Sequence, residues 1–558
     1  MDKNRYIEPH METNGRKKRL YALCALLAFA GAACGVAYCN LKTEGSLYLQ
    51  SDDGDLYLSI ARNMLENAHF IQTARPIEAF VVPPGLPAMC TVLLFLFGGS
   101  GADLLGLLGF QYVVYGLAAA FMALAALRLA LNGLGLSLRQ AQGPKVVAEP
   151  VEAISADVPS TSSGTVGVAL PWALSGAIGV LVPAFYVWCS IRIRHPNPGF
   201  ILTENYVVCL IALILWLVVK GADVRKIVAV TFILTLFRPA CSLLLIAAFA
   251  WMVICAFRNR YAKSKPPVRE RVRFYDVFVM LAVFALVIGI NIGVNYMETG
   301  EIIPLEDYSN LDIYLANNEK AGPEWYHSGK VPEFASTRYN QIILNEGLTR
   351  YRQNELAGEA LREYVKANTG TVVRNACTRF VRLFCETWGV VFYAFLVCLV
   401  LQMFLKGLKW PRKAYILLMT VFLAVPPAFG LLVARYSATM LPLFIAMIVG
   451  TAGQAACIVA TREKKAPVST VPEPVEGRPP ATLPDASTHF DKLNDRSASE
   501  PAEEIPEETI EEILEEPKEE SVEIEEPEAE VPLSEAVKTM SAHELAAKLF
   551  PKKEPPKE

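Results

Sequence analysis

Long apolar runs separated by short polar segments fill most of the first 460 positions of this chain. A helix needs about 20 apolar residues to cross roughly 30 Å of membrane hydrocarbon, because each residue advances it by about 1.5 Å. The runs lie near residues 20–39, 104–131, 168–190, 201–219, 227–237, 240–257, 275–295, 387–405, 414–432 and 438–460. The pattern predicts an all-α polytopic membrane protein with about ten transmembrane helices.

Two apolar segments are too short for an ordinary span. Residues 227–237 are interpreted as half of a bent pair with the next run, broken at Arg238-Pro239. Residues 86–97 are expected to form a helix that lies in the membrane interface or re-enters it, because counting them as a span would invert every later segment.

Two polar segments show helical periodicity. Leu56, Ile60 and Met64 recur every four positions, which predicts a short amphipathic helix on the membrane surface. The long segment 296–386 divides into an irregular half, 301–332, and a helical half, 348–384, interrupted near residues 368–370. We expect these helices to pack over the membrane body and to roof a cleft.

Basic residues mark the segments that face the cytoplasm. Residues 258–273 contain seven Lys/Arg and one acid, and residues 406–413 contain four basic residues. Together with basic residues before the first span and after the last, they predict cytoplasmic termini and place residues 40–103 and 296–386 outside. The expected location is the cell membrane, as a multi-pass protein of a bacterial cytoplasmic membrane.

Composition supports this picture and separates an acidic tail. Hydrophobic residues make up 53% of the 558 positions and charged residues 19%, which excludes most cytosolic enzymes. From Arg462 onward there are 12 of the 52 Lys/Arg and 26 of the 56 Asp/Glu, so a basic body carries an acidic tail that is expected to be disordered. The predicted regions are a cytoplasmic N-terminus (1–19), the first two spans with outer loop 1 (20–131), a low-complexity cytoplasmic insert (132–166), membrane helices (167–295), a large outer loop (296–386), C-terminal membrane helices (387–460) and the tail (461–558).

Three acids cluster where the first outer helix begins, in Ser51-Asp52-Asp53-Gly54-Asp55. Helix capping is one interpretation, with Asp52 as N-cap and Asp55 in the first turn. Three acids in four residues exceed what capping requires, and carboxylates at a membrane boundary are costly unless they are solvated or paired. Both capping and chemistry therefore remain open at this point.

The spacing of Asp53, Tyr57 and Ala61, followed by Val82-Pro83-Pro84-Gly85-Leu86-Pro87 and a short apolar helix, resembles loop 1 of the polyprenyl-phosphate-sugar-dependent membrane glycosyltransferases. This group of GT-C architecture includes the protein mannosyltransferases and the lipid A aminoarabinose transferases. Later motifs are similar to its second acidic loop, its broken helix pair and its late basic turn, namely Thr203-Glu204-Asn205, Leu236-Phe237-Arg238-Pro239 and Ala434-Arg435-Tyr436. Gly54 departs from the pattern, because the family often has a second acid there.

The resemblance implies a sugar donor linked through phosphate to a polyprenyl chain. A departing phosphate needs no general acid, so one carboxylate base suffices for attack by an acceptor hydroxyl. We assign this base to Asp53, with Asp52 and Asp55 as alternatives. Binding of the donor phosphate is assigned to Arg435 and Arg238, because guanidinium groups form paired hydrogen bonds with phosphate oxygens.

Each assignment has a structural alternative. Arg435 could reach lipid headgroups, Arg238 could end a helix and Glu204 could cap the helix that it begins. Substrate-positioning roles are predicted for Glu204, Tyr57, Arg75 and Glu78.

The expected partners are a polyprenyl-phosphate-linked sugar, a lipid or protein acceptor and membrane lipid, with no nucleic acid. A divalent metal is possible where acids converge, but the sequence does not require one, and no metal ligand is assigned. The absence of a Walker-type loop and of a dinucleotide fingerprint argues against a nucleotide-sugar donor. The alternative functions are a membrane transporter or flippase, a glycan polymerase or ligase of a surface-polysaccharide pathway, and a membrane scaffold.

Overall fold

The computed structural model describes residues 8–49, 51–69, 81–97, 102–141, 163–261, 271–324, 331–345, 347–405, 408–431 and 433–462. All regular secondary structure in these ranges is helical, as the apolar pattern predicts. The α-helices are α1 (Glu8–Glu44), α2 (Asp52–Asn67), α3 (Gly85–Phe97), α4 (Ala102–Ala141), α5 (Ser163–Ile193), α6 (Thr203–Lys220), α7 (Val224–Phe237), α8 (Ser242–Tyr261), α9 (Phe274–Thr299), α10 (Ser309–Ala316), α11 (Val331–Phe334), α12 (Thr337–Ile343), α13 (Arg350–Ala367), α14 (Thr369–Phe380), α15 (Val390–Phe404), α16 (Trp410–Phe429) and α17 (Leu441–Arg462).

Eight helical stretches in the described ranges are long and apolar enough to cross a membrane, which indicates a membrane protein. They are Gly15–Glu44, Leu104–Asn132, Leu170–Ile193, Thr203–Lys220, Pro239–Tyr261, Phe274–Thr299, Trp410–Phe429 and Ala434–Ala460. A ninth arises if Thr369–Glu386 and Val390–Phe404, which meet at an angle of 97°, form one broken span. The tenth expected span corresponds to α7. This helix is not counted among the candidate spans, because its 14 residues extend only about 21 Å.

The break after α7 has a simple cause. Arg238 is its C-cap, and Pro239, which has no backbone N–H, opens a short 3-10 turn, Pro239–Cys241, that leads into α8. The two short helices predicted between the first two spans are also present. They are α2, and the 13-residue α3, which is too short to cross a membrane.

The membrane body is organised around α4, which packs against α1, α6 and α17. Small residues allow the close approach of α17 and α4. A Cβ on Gly450 would lie 2.9 Å from the Leu129 side chain, and a Cβ on Gly453 would lie 2.8 Å from the Cβ of Ala130. Such small-residue contacts are a common means of helix association in membranes.

The segment after α9 has an apolar cluster of its own, formed by α10 to α13 with Leu311, Tyr314, Phe334 and Ala357 among its buried side chains. The helical half is observed as α13 and α14, with the interruption at Asn368. The half predicted as irregular contains the two-turn helix α10, which packs against α13. This docked helix forms one wall of the site described below.

Several predicted segments fall partly or wholly outside the described residues. Helix α4 continues to Ala141, beyond the boundary expected at residue 131, and α5 begins at Ser163. The middle of the predicted insert, residues 142–162, and the acidic tail from residue 463 lie outside the description. The predicted site residues Arg75 and Glu78 also lie outside the described residues.

Candidate active site

The first turn of α2 is capped by Ser51, not by Asp52. Ser51 has extended backbone geometry, and its hydroxyl accepts a hydrogen bond of 3.1 Å from the Gly54 N–H. Because Ser51 satisfies the cap, the acids that follow are not needed for it. The backbone of Asp52 belongs to α2, but its side chain is outside the description.

Asp53 pairs with Arg435. The Nη1 atom of Arg435 donates a hydrogen bond of 2.6 Å to the Asp53 carboxylate, and the Asp53 side chain remains 41% exposed. Asp55 instead accepts a hydrogen bond of 3.3 Å from the Tyr48 hydroxyl and is exposed. Of the two described carboxylates, Asp53 is therefore the one directed at the predicted phosphate-binding arginine.

Glu204 lies between the two predicted phosphate-binding arginines. One of its carboxylate oxygens is 3.6 Å from Arg435 Nε and 3.7 Å from Arg238 Nη1, while its side chain is only 5% exposed. The N-cap of α6 is Leu202, without a side-chain capping bond. Glu204 therefore lies in the first turn of the helix and not at its N-cap position. It holds the two guanidinium groups side by side, and their charges offset the cost of burying its own.

The Tyr436 ring contacts both arginines, Arg238 and Arg435. The Arg238 guanidinium lies 4.7 Å from the centre of the Tyr436 ring, and the Arg435 guanidinium lies 5.7 Å from it. Both distances are within the range of cation–π attraction. Glu204 and Tyr436 together hold the guanidinium groups of Arg238 and Arg435 close to each other.

Two glycines bring α2 and α3 close to this cluster. A Cβ on Gly54 would lie 3.2 Å from the Ile201 carbonyl oxygen and 2.7 Å from Ser51 Oγ, so the start of α2 rests on the chain just before α6. A Cβ on Gly85 would lie 2.8 Å from the Phe237 ring, which sets the start of α3 against the end of α7. A side chain at position 54 would therefore require the Ser51 hydroxyl or the chain before α6 to shift.

A cavity of about 200 Å³ adjoins the cluster. Its polar wall is formed by Arg238 and Tyr436 together with residues of the outer segment, and its apolar wall by the last turns of α16. The polar side chains from the outer segment are Glu306, Tyr308, Ser309 and Asp312, and the α16 residues are Phe422, Leu423, Pro426 and Pro427. The volume suits a single sugar ring and is below the roughly 300–1,000 Å³ of pockets for larger ligands.

The acids of this wall were not among the predicted site residues. Burial and the charge of Glu306 raise the pKa of Asp312 to about 6, and burial also raises the pKa of Glu306. The pKa of the neighbouring Asp307 rises to about 7, again mainly through burial. A signal was present in the sequence, because these acids follow the α9 span just as Asp53 and Asp55 follow α1.

Two further side chains are close enough for the cluster to affect their pKa values. Burial lowers the pKa of His195, although Glu204 acts in the opposite direction, and its Nδ1 atom has no partner within the described part of the chain. Burial and the negative charges of Asp53 and Glu204 raise the pKa of Tyr57, one turn after Asp53. The Tyr57 phenol therefore stays protonated at neutral pH.

The structure thus brings Asp53, Tyr57, Glu204, Arg238 and Arg435 together and directs Asp55 elsewhere. An accessible carboxylate beside two fixed guanidinium groups can accept a proton while an anion is held nearby. Across the described ranges, no group of three or more His, Cys, Asp or Glu side chains is arranged to hold a metal ion. Comparisons of the chain with protein-family models, with curated proteins and with solved structures found no match.

Proposed function

We propose that this protein is a membrane glycosyltransferase that moves one sugar from a polyprenyl-phosphate carrier to a hydroxyl of a lipid-linked glycan or a protein. The observation that carries the proposal is the contact between Asp53 and Arg435, with Glu204 and Arg238 completing the cluster. A single partly exposed carboxylate next to paired guanidinium groups is what transfer from a sugar phosphate requires, since the leaving group needs charge stabilisation and no proton.

The surroundings of the cavity suit a lipid-linked donor. The side chains of Val421, Val425 and Phe429 are exposed on α16, on a helix whose other face lines the cavity through Phe422 and Pro426. An isoprenoid chain can lie along this exposed apolar face while its phosphate reaches Arg238. The sugar then occupies the cavity.

Donor binding activates the base in this mechanism. The donor phosphate displaces Asp53 from Arg435, which leaves the carboxylate next to the acceptor hydroxyl. That oxygen attacks the anomeric carbon, its proton passes to Asp53, and the bond from the anomeric carbon to the phosphate oxygen breaks with its electron pair leaving on the phosphate. Arg435 and Arg238 stabilise the charge that develops there.

The distribution of basic residues supports a cluster on the extracytoplasmic side with both termini in the cytoplasm. Basic side chains lie at the opposite ends of the same helices, including Lys220 on α6, Arg258 on α8, Arg412 on α16 and Arg273 before α9. Cytoplasmic ends of spans carry this excess of Lys and Arg.

Transfer assays with the purified full chain test the proposal. A panel of polyprenyl-phosphate-linked sugars is supplied with lipid and protein acceptors, and products are detected by mass. Asp53→Asn is expected to reduce transfer by about 10²–10⁴-fold, the usual contribution of a general base. Asp55→Asn is the matched acid on the same helix and is expected to retain most of the activity, with unchanged melting temperatures for both variants.

The outcomes separate the competing functions. Loss of activity in Asp55→Asn but not in Asp53→Asn would transfer the role of base to Asp55. A product that gains many sugars instead of one would indicate a polymerase. If no carrier-linked sugar is transferred but labelled lipid crosses the vesicle membrane, the protein is a flippase and the proposal fails.

A further inference from the structure

A second cavity lies at the far ends of the helices that build the candidate site. Helix α6 carries Glu204 in its first turn and Val218 near its end, and its 18 residues extend about 27 Å. The second cavity has a volume of about 160 Å³ and is formed by the start of α7, the end of α8 and the start of α16. It is therefore distinct from the candidate active site.

Three cationic side chains line this cavity, namely Arg258, Lys409 and Arg412. Arg412 is only 8% exposed, and its Nη1 atom donates a hydrogen bond of 2.7 Å to the Val218 carbonyl. Its guanidinium lies against Gly221, where a Cβ would be 3.0 Å from Nη1, so the side chain is held in a fixed position. Arg258 and Lys409 are exposed at the rim. Within the described residues, the lining contains no acid.

The N-terminus of one helix, α16, borders the same cavity. Helix α7 begins at Val224 and α16 has Pro411 in its first turn, and both residues line the cavity. The N-terminus of a helix carries a partial positive charge and attracts anions. The N-terminus of α7 is already capped, because the Asp223 carboxylate accepts a hydrogen bond of 3.0 Å from the Arg225 N–H and pairs with the Arg225 guanidinium. Three cations and the N-terminus of α16 around one small cavity favour a phosphate-sized anion.

The apolar surroundings favour a lipid as the source of that phosphate. Trp251 lines the cavity, and on the same helix Ile254 and Phe257 are 56% and 49% exposed. Tryptophan is enriched at membrane–water interfaces, and basic pockets between spans on the cytoplasmic side bind anionic headgroups. We propose that this cavity holds the phosphate of an anionic lipid, with the acyl chains along the exposed face of α8. The inference goes beyond the proposed function and does not depend on it.

Native mass spectrometry of the purified full chain in neutral detergent tests the inference. The probes are dioleoyl phosphatidic acid, dioleoyl glycerol and inorganic phosphate. We expect the chain to retain phosphatidic acid and not dioleoyl glycerol, and we expect millimolar inorganic phosphate not to displace the lipid. Equal retention of dioleoyl glycerol would overturn the phosphate site, and displacement by inorganic phosphate would assign the cavity to the free anion instead of a lipid.

Substitutions locate the bound lipid. Arg258→Gln and Lys409→Gln are each expected to reduce the retained phosphatidic acid by about tenfold, because each removes a charged hydrogen-bond donor. Lys226→Gln, an exposed cation at the same end of the molecule that does not line the cavity, is the matched control and should retain the lipid. Both cavity residues are exposed, so each variant should fold, and the melting temperature without lipid verifies it. Undiminished retention in both variants would refute the assignment.

Discussion

Asp53 and Arg435 are 382 positions apart in the chain, and their side chains meet at 2.6 Å. The contact joins the first turn of α2 to the turn that precedes α17. Because Asp53 is 41% and Arg435 28% exposed, an incoming anion can compete for the guanidinium. Under the proposed function, this ion pair is the resting state, and the donor phosphate replaces it.

Substitution of Arg435 should affect the donor more than the acceptor. Arg435→Lys keeps the charge but loses the fork that contacts Asp53 and Glu204, and we expect the KM for the donor to rise by at least about tenfold with a smaller change in the KM for the acceptor. Steady-state kinetics with each substrate varied in turn measure the difference. Arg194→Lys, at an exposed arginine paired with Glu44, is the control. An equal effect on both substrates would contradict a phosphate contact.

The close packing of Gly54 predicts that a single methyl group disturbs the cluster. In Gly54→Ala the new Cβ would lie 2.7 Å from Ser51 Oγ and 3.2 Å from the Ile201 carbonyl oxygen, so the capping hydroxyl and the start of α2 must shift, and Asp53 lies in that turn. We expect a loss of about 1–3 kcal/mol in the free energy of unfolding and a reduced transfer rate. Gly109→Ala on α4, where nothing lies within 4 Å, should leave both unchanged. Normal activity in Gly54→Ala would show that the position of α2 is not critical.

Much of the site is predictable because its residues interrupt apolar sequence at the same end of several spans. Each of these residues lies where an apolar run begins or ends, namely Asp53, Glu204, Arg238 and Arg435. Because successive spans run in opposite directions, these positions come together at the same end of the helix bundle. The number of spans is harder to predict, because the structure contains eight or nine candidate spans in its described ranges and the sequence pattern gives about ten. A run such as 227–237 has the composition of a span, and only its length and the proline that follows reveal a half-helix.

The two acids that line the cavity, Glu306 and Asp312, are harder to predict from the sequence. Asp312 reaches the cavity because α10 docks between α13 and the end of α16, and this docking depends on buried contacts that no periodicity in the sequence specifies. Glu306 is placed by the same packing. Both residues lie in the half of the outer segment that was interpreted as irregular, where composition alone does not distinguish a surface acid from a buried one.

Arg379 is predicted to hold α10 in place. It is 1% exposed, and its guanidinium donates hydrogen bonds to Asn317 Oδ1 at 3.2 Å, to the Gly322 carbonyl at 3.1 Å and to the Ala316 carbonyl. Arg379→Met keeps most of the volume but leaves these acceptors at the end of α10 unsatisfied, which should cost about 2–4 kcal/mol. Thermal unfolding and hydrogen exchange of α10 measure the loss. Arg374→Met, at an exposed arginine on the same helix, should have little effect, and similar melting of both variants would contradict the assigned role.

Donor binding should weaken as the pH rises through about 6. Asp312 lines the cavity, and its pKa of about 6 means that it gains a negative charge over this range and repels the donor phosphodiester, whose own charge is constant. Asp312→Asn is expected to flatten the pH dependence of the donor KM. The pKa of His195 is lowered, so this side chain loses its positive charge at a lower pH than an ordinary histidine does. His195→Asn is therefore measured in parallel to separate the two groups. A profile that Asp312→Asn leaves unchanged would remove Asp312 from the donor site.

Asp307 makes the stability of the outer segment depend on pH. It is 1% exposed, its Oδ1 has no partner among the described residues, and burial raises its pKa to about 7. With a pKa near 3.9 when unfolded, the carboxyl binds more protons in the folded state between pH 4 and 7, so its contribution to stability falls as the pH rises through that range. Asp307→Asn removes the charge and should stabilise the protein by about 1–3 kcal/mol above pH 7, with little gain near pH 4.

Melting temperatures of Asp307→Asn and the parent chain from pH 4 to 8 measure this difference. The gain should increase up to about pH 7 and then level off, because the carboxylate is fully ionised above its folded pKa. Glu319→Gln, at an exposed acid of the same segment, controls for the loss of one negative charge and should show no such rise. A gain that is constant with pH would mean that the pKa of Asp307 is the same in the folded and unfolded states, and its burial would then impose no charge penalty.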